Sequence, residues 1–238
     1  MDLYKYHEKH VRVVTRFGDT ITGVADYFPS EYCLHEYGED EDCVIIGDIL
    51  VYNSSIVSIE EIEVHGTAEL RTERLKLRRY RPEDAIDLYR AFGTDSSTYE
   101  YTGWNPYATE EMALETVRRF ITGYEDEHFY AWVLDSDDVL FGTIGAYDYS
   151  GDRIEFGYSI IRPVRGRGYA TEALKAVLIY LTENEGIPCV TAWCAASNIG
   201  SVRTLEKAGM KRVRTEKSGL AVGDRVFDKL TYEYRRPL

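Results

Sequence analysis

The run Arg165-Gly166-Arg167-Gly168 combines two glycines with two basic side chains and stands directly before a segment with helical spacing. Upstream, residues 153–161 are rich in β-branched and aromatic side chains, as in a β-strand. Glycine lets the backbone approach an anion closely, and the first N–H groups of a helix point toward it. The two arginines add charge-assisted hydrogen-bond donors. The run therefore predicts a site that holds phosphate.

Strands and helices alternate on both sides of this run. Hydrophobic periodicity, capping residues and turn residues place them along the chain. We expect strands at 74–78, 128–134, 139–146, 153–161, 189–194, 211–216 and 225–234, and helices at 82–92, 109–121, 170–181 and 199–208. This order predicts an α+β domain with a mixed α/β sheet over residues 67–238.

The first part of the chain differs in charge and in pattern. Residues 1–66 carry 4 Lys/Arg and 14 Asp/Glu, a net −10, out of −13 for all 238 residues. Short apolar runs broken by turn residues predict a small, strongly bent β-barrel there, which resembles an Sm-like or SH3-like barrel. We interpret the acidic tract 36–42 as a solvated loop, with binding of a basic protein partner as the alternative. The negative charge disfavours nucleic acid and anionic membrane as partners.

Composition indicates an ordinary folded protein, with 44% hydrophobic and 13% aromatic residues. No apolar stretch approaches the roughly 20 residues that span a bilayer, and the N-terminus lacks an apolar signal core. We therefore expect a cytoplasmic protein. The four cysteines have no CxxC spacing, and Cys33, His35 and Cys43 lack a fourth ligand, so no metal is expected.

Two familiar phosphate-binding loops do not fit this run. A Walker loop needs Gly-Lys-Ser/Thr, which is absent. A dinucleotide-binding loop follows the first strand of a parallel repeat, whereas this run comes late, after strands that we expect to be antiparallel.

Several motifs in the same order carry a resemblance to a known family. They are the strand Glu155-Phe156-Gly157-Tyr158-Ser159-Ile160, the Arg-Gly-Arg-Gly-Tyr-Ala-Thr-Glu-Ala run, Gly142-Thr143-Ile144-Gly145, the segment 70–78, and 198–210 with Asn198-x-x-Ser201. Together they resemble the GNAT superfamily of acetyl-CoA-dependent N-acetyltransferases. Within it, residues 70–236 look closest to the Rim-type ribosomal-protein N-acetyltransferases.

The resemblance implies a GNAT acyl-CoA N-acyltransferase fold and acetyl-CoA as acyl donor. In the family the donor lies where two central parallel strands splay apart. Carried over to this chain, the residues that would bind it are Ile160, Ile161, Arg165, Gly166, Arg167, Gly168, Tyr169, Ala170, Thr171, Asn198 and Ser201. The acceptor pocket would include Glu100, Tyr101 and Trp104.

The same resemblance suggests how the reaction is catalysed. Glu155 is the candidate general base, and a structural or binding role for it is an equal alternative. Ser201 matches the serine that donates a proton to the leaving sulfur in Rim-type enzymes, and Tyr158, Tyr169 and Tyr180 are alternative acids. The function implied is transfer of an acetyl group by direct attack of a primary amine, from a peptide N-terminus or a small molecule.

The sequence is also compatible with two other functions. The chain could be a non-catalytic acyl-CoA-binding sensor whose acidic barrel binds a protein partner. RNA binding through the barrel is disfavoured by its charge. A dimer is one option for the oligomeric state.

Overall fold

The structure is a computed structural model that describes residues 1–62, 65–136 and 139–235. The chain divides into two compact units, Met1–Val64 and His65–Leu238. In the described residues no helix is long and apolar enough to cross a bilayer.

The first unit is a five-stranded antiparallel sheet with one helix. Its elements are β1 (Lys9–Thr15), β2 (Thr20–Phe28), α1 (Ser30–Tyr37), β3 (Cys43–Ile46), β4 (Ile49–Tyr52) and β5 (Ile56–Glu61). The spatial order is β4-β3-β2-β1-β5. Residues spaced by two, such as Val11 and Val13, point to one face and enter a core with Leu3, Val44 and Ile59.

Strands β4 and β5 lie at opposite edges of the sheet, and no pairing joins them in the residues described, so a closed barrel is not found. The barrel and its protein partner stay predictions. The start of the acidic tract is helical rather than a loop, because α1 begins after Pro29 and ends at Gly38, whose φ of 79° is left-handed.

The second unit has an eight-stranded mixed sheet. Its strands are β6 (Leu70–Arg71), β7 (Lys76–Arg78), β8 (Tyr130–Ser136), β9 (Val139–Tyr147), β10 (Arg153–Ile160), β11 (Cys189–Ala195), β12 (Lys211–Val222) and β13 (Arg225–Arg235). Its helices are α2 (Asp84–Leu88), α3 (Glu110–Gly123), α4 (Tyr169–Ile179) and α5 (Ile199–Lys207). The order is β12-β13-β11-β10-β9-β8-β7-β6. The predicted α+β architecture with a mixed sheet is confirmed.

Helices α2 and α4 are shorter than the sequence pattern indicates. Each continues into a π-helical turn, Tyr89–Gly93 after α2 and Tyr180–Asn184 after α4. Each π-helical segment is a single turn of five residues, which is too short for the spacing of its apolar residues to distinguish it from a continued α-helix.

Strands β10 and β11 are parallel and connected through α4, as a parallel pair requires a crossover. Helix α4 buries Ala173, Leu174, Val177 and Leu178, which recur at helical spacing.

The pairing between β10 and β11 is short. It consists of Arg153 with Cys189, Ile154 with Val190 and Glu155 with Thr191, although the strands continue to Ile160 and Ala195. In the described structure no backbone pairing joins the later residues of the two strands. The sheet therefore opens after Glu155, and one edge of β10 is left without a strand partner.

Candidate active site

A cavity of about 560 Å³ lies beside the unpaired part of β10. Tyr158, Ser159 and Ile160 of that strand line it. The glycine run and the first turn of α4 form another wall, together with residues of α5 and of the segment 97–101. The cavity thus joins the opened sheet to the predicted phosphate loop.

The glycine run has the backbone geometry of an anion cradle. Gly166 and Gly168 have φ values of 78° and 90°, in the left-handed region that favours glycine. Helix α4 begins at Tyr169 without a side-chain cap. Across the part of the chain that the structure describes, no acceptor is found for the N–H groups of residues 166–171. These donors and the positive end of the helix dipole fit an anionic ligand.

Thr72 and Arg74, from the segment before β7, hold the glycine run in place through hydrogen bonds to Glu172 and Arg167. We call this set of contacts the brace. The Glu172 carboxylate accepts from Thr72 Oγ1 at 2.5 Å, from Arg74 N at 2.9 Å and from Arg74 Nε at 2.7 Å. Arg74 Nη1 donates to Arg167 O at 3.2 Å, and its guanidinium lies 4.4 Å from the Tyr169 ring centroid. Burial alone would raise the pKa of Glu172, but these hydrogen bonds lower it. Sequence reasoning did not assign Thr72, Arg74 or Glu172.

Arg165 lines the cavity, but its side chain is committed to protein atoms. Its Nε donates to Ile160 O at 2.8 Å, and Nη1 donates to Ser97 Oγ at 2.7 Å. Nη2 lies 3.3 Å from Thr98 Oγ1 and 3.5 Å from Asp95 Oδ2. Arg165 therefore connects the end of β10 to the segment 95–98, a role that sequence reasoning missed because the segment is distant in the chain.

Ser201 and Tyr158 form a pair of hydroxyl groups in the cavity wall. Their oxygens are 3.1 Å apart. Asn198 Oδ1 accepts from Ser201 N at 3.1 Å and so caps α5. Burial raises the pKa of Tyr158, against the effect of hydrogen bonds to Ser201 and Thr204. The phenol is therefore protonated at neutral pH and can donate.

Glu155 lies at the last paired position, where the sheet begins to open. Its Oε1 accepts from Trp193 Nε1 at 2.9 Å. Burial, and then the nearby Glu155 carboxylate, raise the pKa of Tyr147. Because side chains alternate along a strand, Glu155 points to the opposite face from Tyr158. The structure therefore does not bring the two candidate catalytic groups, Glu155 and Ser201, to the same wall, and Glu155 does not line the cavity.

The three residues predicted for the acceptor pocket divide into two groups. Glu100 and Tyr101 line the cavity, while Trp104 is 59% exposed and lines a second depression beside α3. Arg225 holds Glu100, with 3.2 Å from Nη1 to Oε1 and 2.5 Å from Nη2 to the backbone oxygen. The Tyr101 ring stands edge-on to Phe227 at 5.3 Å between centroids.

Most of the predicted donor-binding residues meet in this cavity. Those that line it are Ile160, Arg165, Gly166, Gly168, Tyr169, Ala170, Thr171, Asn198 and Ser201. Ile161 instead packs against the core that includes Val133, and Arg167 is exposed outside the lining. Within the described ranges, no group of three or more His, Cys, Asp or Glu side chains could hold a metal ion.

Comparisons with known proteins agree on one family. The model of the acetyltransferase (GNAT) domain family matches residues 74–211. YnaD, an uncharacterized N-acetyltransferase of Bacillus subtilis (strain 168), is 30% identical over 164 residues, covering 68% of this chain and 94% of that protein. The structure of the microcin C7 self immunity acetyltransferase MccE, in complex with acetyl-CoA and AMP, has a TM-score of 0.62 at 14% identity, covering 69% of this chain and 94% of that one. The structure of RimL, a ribosomal L7/L12 alpha-N-protein acetyltransferase in complex with coenzyme A, has a TM-score of 0.64 at 14% identity. The match covers 69% of this chain and 95% of that one.

The family match spans more than half of the chain, and the chain therefore belongs to the GNAT acetyltransferase family. It is an N-acetyltransferase, as the sequence predicted. Rim-type enzymes are among the proteins whose fold it shares.

Proposed function

We propose that the chain transfers an acetyl group from acetyl-CoA to a primary amine, on a peptide N-terminus or a small molecule. The observation that carries this proposal is the opening between β10 and β11 beside a cradle of unpaired N–H groups. Bound acetyl-CoA supplies a thioester that an amine can attack directly.

The binding roles follow from the free donors and acceptors of the cavity wall. The N–H groups of residues 166–171 would hold the pyrophosphate, since the described residues provide no acceptor for them and they stand at a helix start. The unpaired edge of β10 from Tyr158 to Ile160 would pair with the pantetheine arm. Ser201 and Tyr158 would then stand near the thioester end.

The overall transfer takes one proton from the amine and returns one to the departing sulfur. The Ser201–Tyr158 pair is suited to the second task, because Tyr158 stays protonated and is hydrogen-bonded to Ser201 at the cavity wall. A serine hydroxyl alone is a weak acid, and a phenol behind it can replace the proton it gives.

We assign removal of the amine proton to Glu155. Trp193 fixes the carboxylate by one hydrogen bond at the point where the sheet opens. Its position on the face opposite to Tyr158 means that base and proton donor would act from two sides of the opening. A neutral amine is required because a protonated one has no lone pair to attack with.

The test is release of free coenzyme A thiol from acetyl-CoA with a panel of amines. The panel holds peptides with free N-termini, amino acids, polyamines and aminoglycosides. We expect turnover on at least one class and none for Gly168→Glu, since a carboxylate in the cradle repels the pyrophosphate. Binding of acetyl-CoA without turnover on any amine would instead support the sensor function.

A further inference from the structure

Three basic side chains of the described residues line the cavity, namely Arg165, Arg203 and Lys207. Arg165 is occupied by Ile160 O, Ser97 and Thr98, as described above. Arg203 and Lys207 are exposed, and in the described residues neither forms an ion pair or a hydrogen bond with another side chain. The cavity therefore has two uncommitted positive charges, both on α5.

These two charges are placed to act together. Arg203 and Lys207 are four residues apart on one helix, so they are neighbours on the same face. The nearest acidic side chain in the sequence, Glu206, accepts instead from Tyr232 at 3.3 Å. Among the described residues that line the cavity, the one carboxylate is that of Glu100, which is paired with Arg225.

The second wall of the cavity already provides for one anion through the N–H groups of residues 166–171. A separate pair of cations on α5 indicates a second anionic group on the same ligand. An arginine next to a lysine suits a phosphate monoester, which carries about two negative charges at neutral pH and accepts charge-assisted hydrogen bonds.

We propose that Arg203 and Lys207 form the subsite for the 3′-phosphate on the adenosine ribose of the acyl donor. This inference rests on the proposed use of acetyl-CoA. Helix α5 would then distinguish coenzyme A from the analogue that lacks the 3′-phosphate. The glycine run would bind the pyrophosphate, which both ligands have.

The experiment is calorimetric titration of the full chain with coenzyme A and with 3′-dephospho-coenzyme A. For the wild-type chain we expect coenzyme A to bind roughly tenfold or more tightly, as one charge-assisted contact is worth about that factor. Arg203→Gln and Lys207→Gln should each weaken coenzyme A binding and leave dephospho-coenzyme A binding unchanged. In the double variant the ratio of the two dissociation constants should approach one.

Lys175→Gln is the matched control, since Lys175 is an exposed cation on α4 that does not line the cavity. Lys175→Gln removes one positive charge, as Arg203→Gln and Lys207→Gln do. It should keep the wild-type ratio of the two dissociation constants. A wild-type ratio of one, or a ratio that persists in the double variant, overturns the subsite. Failure of both ligands to bind the wild-type chain overturns the proposed function itself, so the two failures are distinguishable.

Discussion

Tyr158 and Ser201 are 43 positions apart in the chain, and the 3.1 Å between their oxygens makes them one hydrogen-bonded unit. In the proposed mechanism Ser201 gives a proton to the departing sulfur, and Tyr158, which burial keeps protonated, would replace it. Because Tyr158 stays protonated through neutral pH, its capacity to donate a proton would not change with pH in that range. Thr204, whose hydroxyl also bonds to Tyr158, extends the unit along α5.

Tyr158→Phe is therefore expected to lower kcat by about ten- to a hundredfold while acetyl-CoA binding changes little. Ser201→Ala should have a similar effect, and the double variant should lose no more than the worse single one, since the groups act together. Steady-state kinetics with the acceptor found in the amine panel measures this. Tyr4→Phe is the control, because Tyr4 is a 67% exposed tyrosine of the first unit that does not line the cavity. A Tyr158→Phe variant with the wild-type kcat at every pH would remove the phenol from the mechanism.

The start of α4 shows how elements shape this site. The helix has no side-chain cap of its own, so its N–H groups stay free for a ligand, and Glu172 in its first turn is used instead to dock the segment with Thr72 and Arg74. Arg74 reaches from there to Arg167 O and stacks over Tyr169. These contacts use the Glu172 carboxylate and the Arg167 carbonyl, and leave the N–H groups of residues 166–171 without an acceptor in the described residues.

Glu172→Gln should weaken this brace, and the resulting loss of stability should depend on pH. The pKa of Glu172 is lowered in the folded chain, so its stabilisation is present above the unfolded value of 4.5 and is lost as pH falls through the lower folded value. At neutral pH we expect the variant to be less stable by about 1–2 kcal/mol, the usual cost of weakening hydrogen bonds to a charged group. The deficit should shrink below pH 4.5.

Urea unfolding at a series of pH values tests this expectation. Glu111→Gln is the matched control, because Glu111 is an exposed acidic residue in the first turn of α3. It removes a similar helix-dipole interaction without removing a brace. Equal stability of wild type and Glu172→Gln at all pH values would contradict the role assigned to the carboxylate.

Sequence periodicity located the elements around the site because local physics specifies them. The glycine pair, the strand 153–161 and the Asn198 cap each depend on neighbours within a few residues. The contacts of Arg165 with Ser97 and of Arg74 with Glu172 join positions that are 68 and 98 residues apart. Such pairs depend on the tertiary arrangement, and no local pattern in one sequence indicates them.

The whole molecule consists of two units with separate hydrophobic cores. One core includes Val13 and Val44 in the antiparallel sheet, and the other includes Leu88, Val117 and Val133 in the mixed sheet. Every residue of the candidate cavity belongs to the second unit. The alignment with YnaD covers 68% of this chain and 94% of YnaD. Nearly all of that relative therefore corresponds to about two-thirds of this chain.

A chain of residues 65–238 should therefore fold and bind acetyl-CoA by itself. The cluster around Leu88, Val117 and Val133 and all described residues that line the cavity lie within 65–238, so we expect a dissociation constant within about threefold of that of the full chain, a difference below 1 kcal/mol. Circular dichroism and calorimetric titration of both chains measure folding and binding. Residues 1–62 prepared alone provide the complementary control, which should fold but bind no acetyl-CoA. A folded 65–238 chain that binds more than tenfold more weakly would show that the acidic unit contributes to donor binding, and would contradict the separation of roles that the two cores indicate.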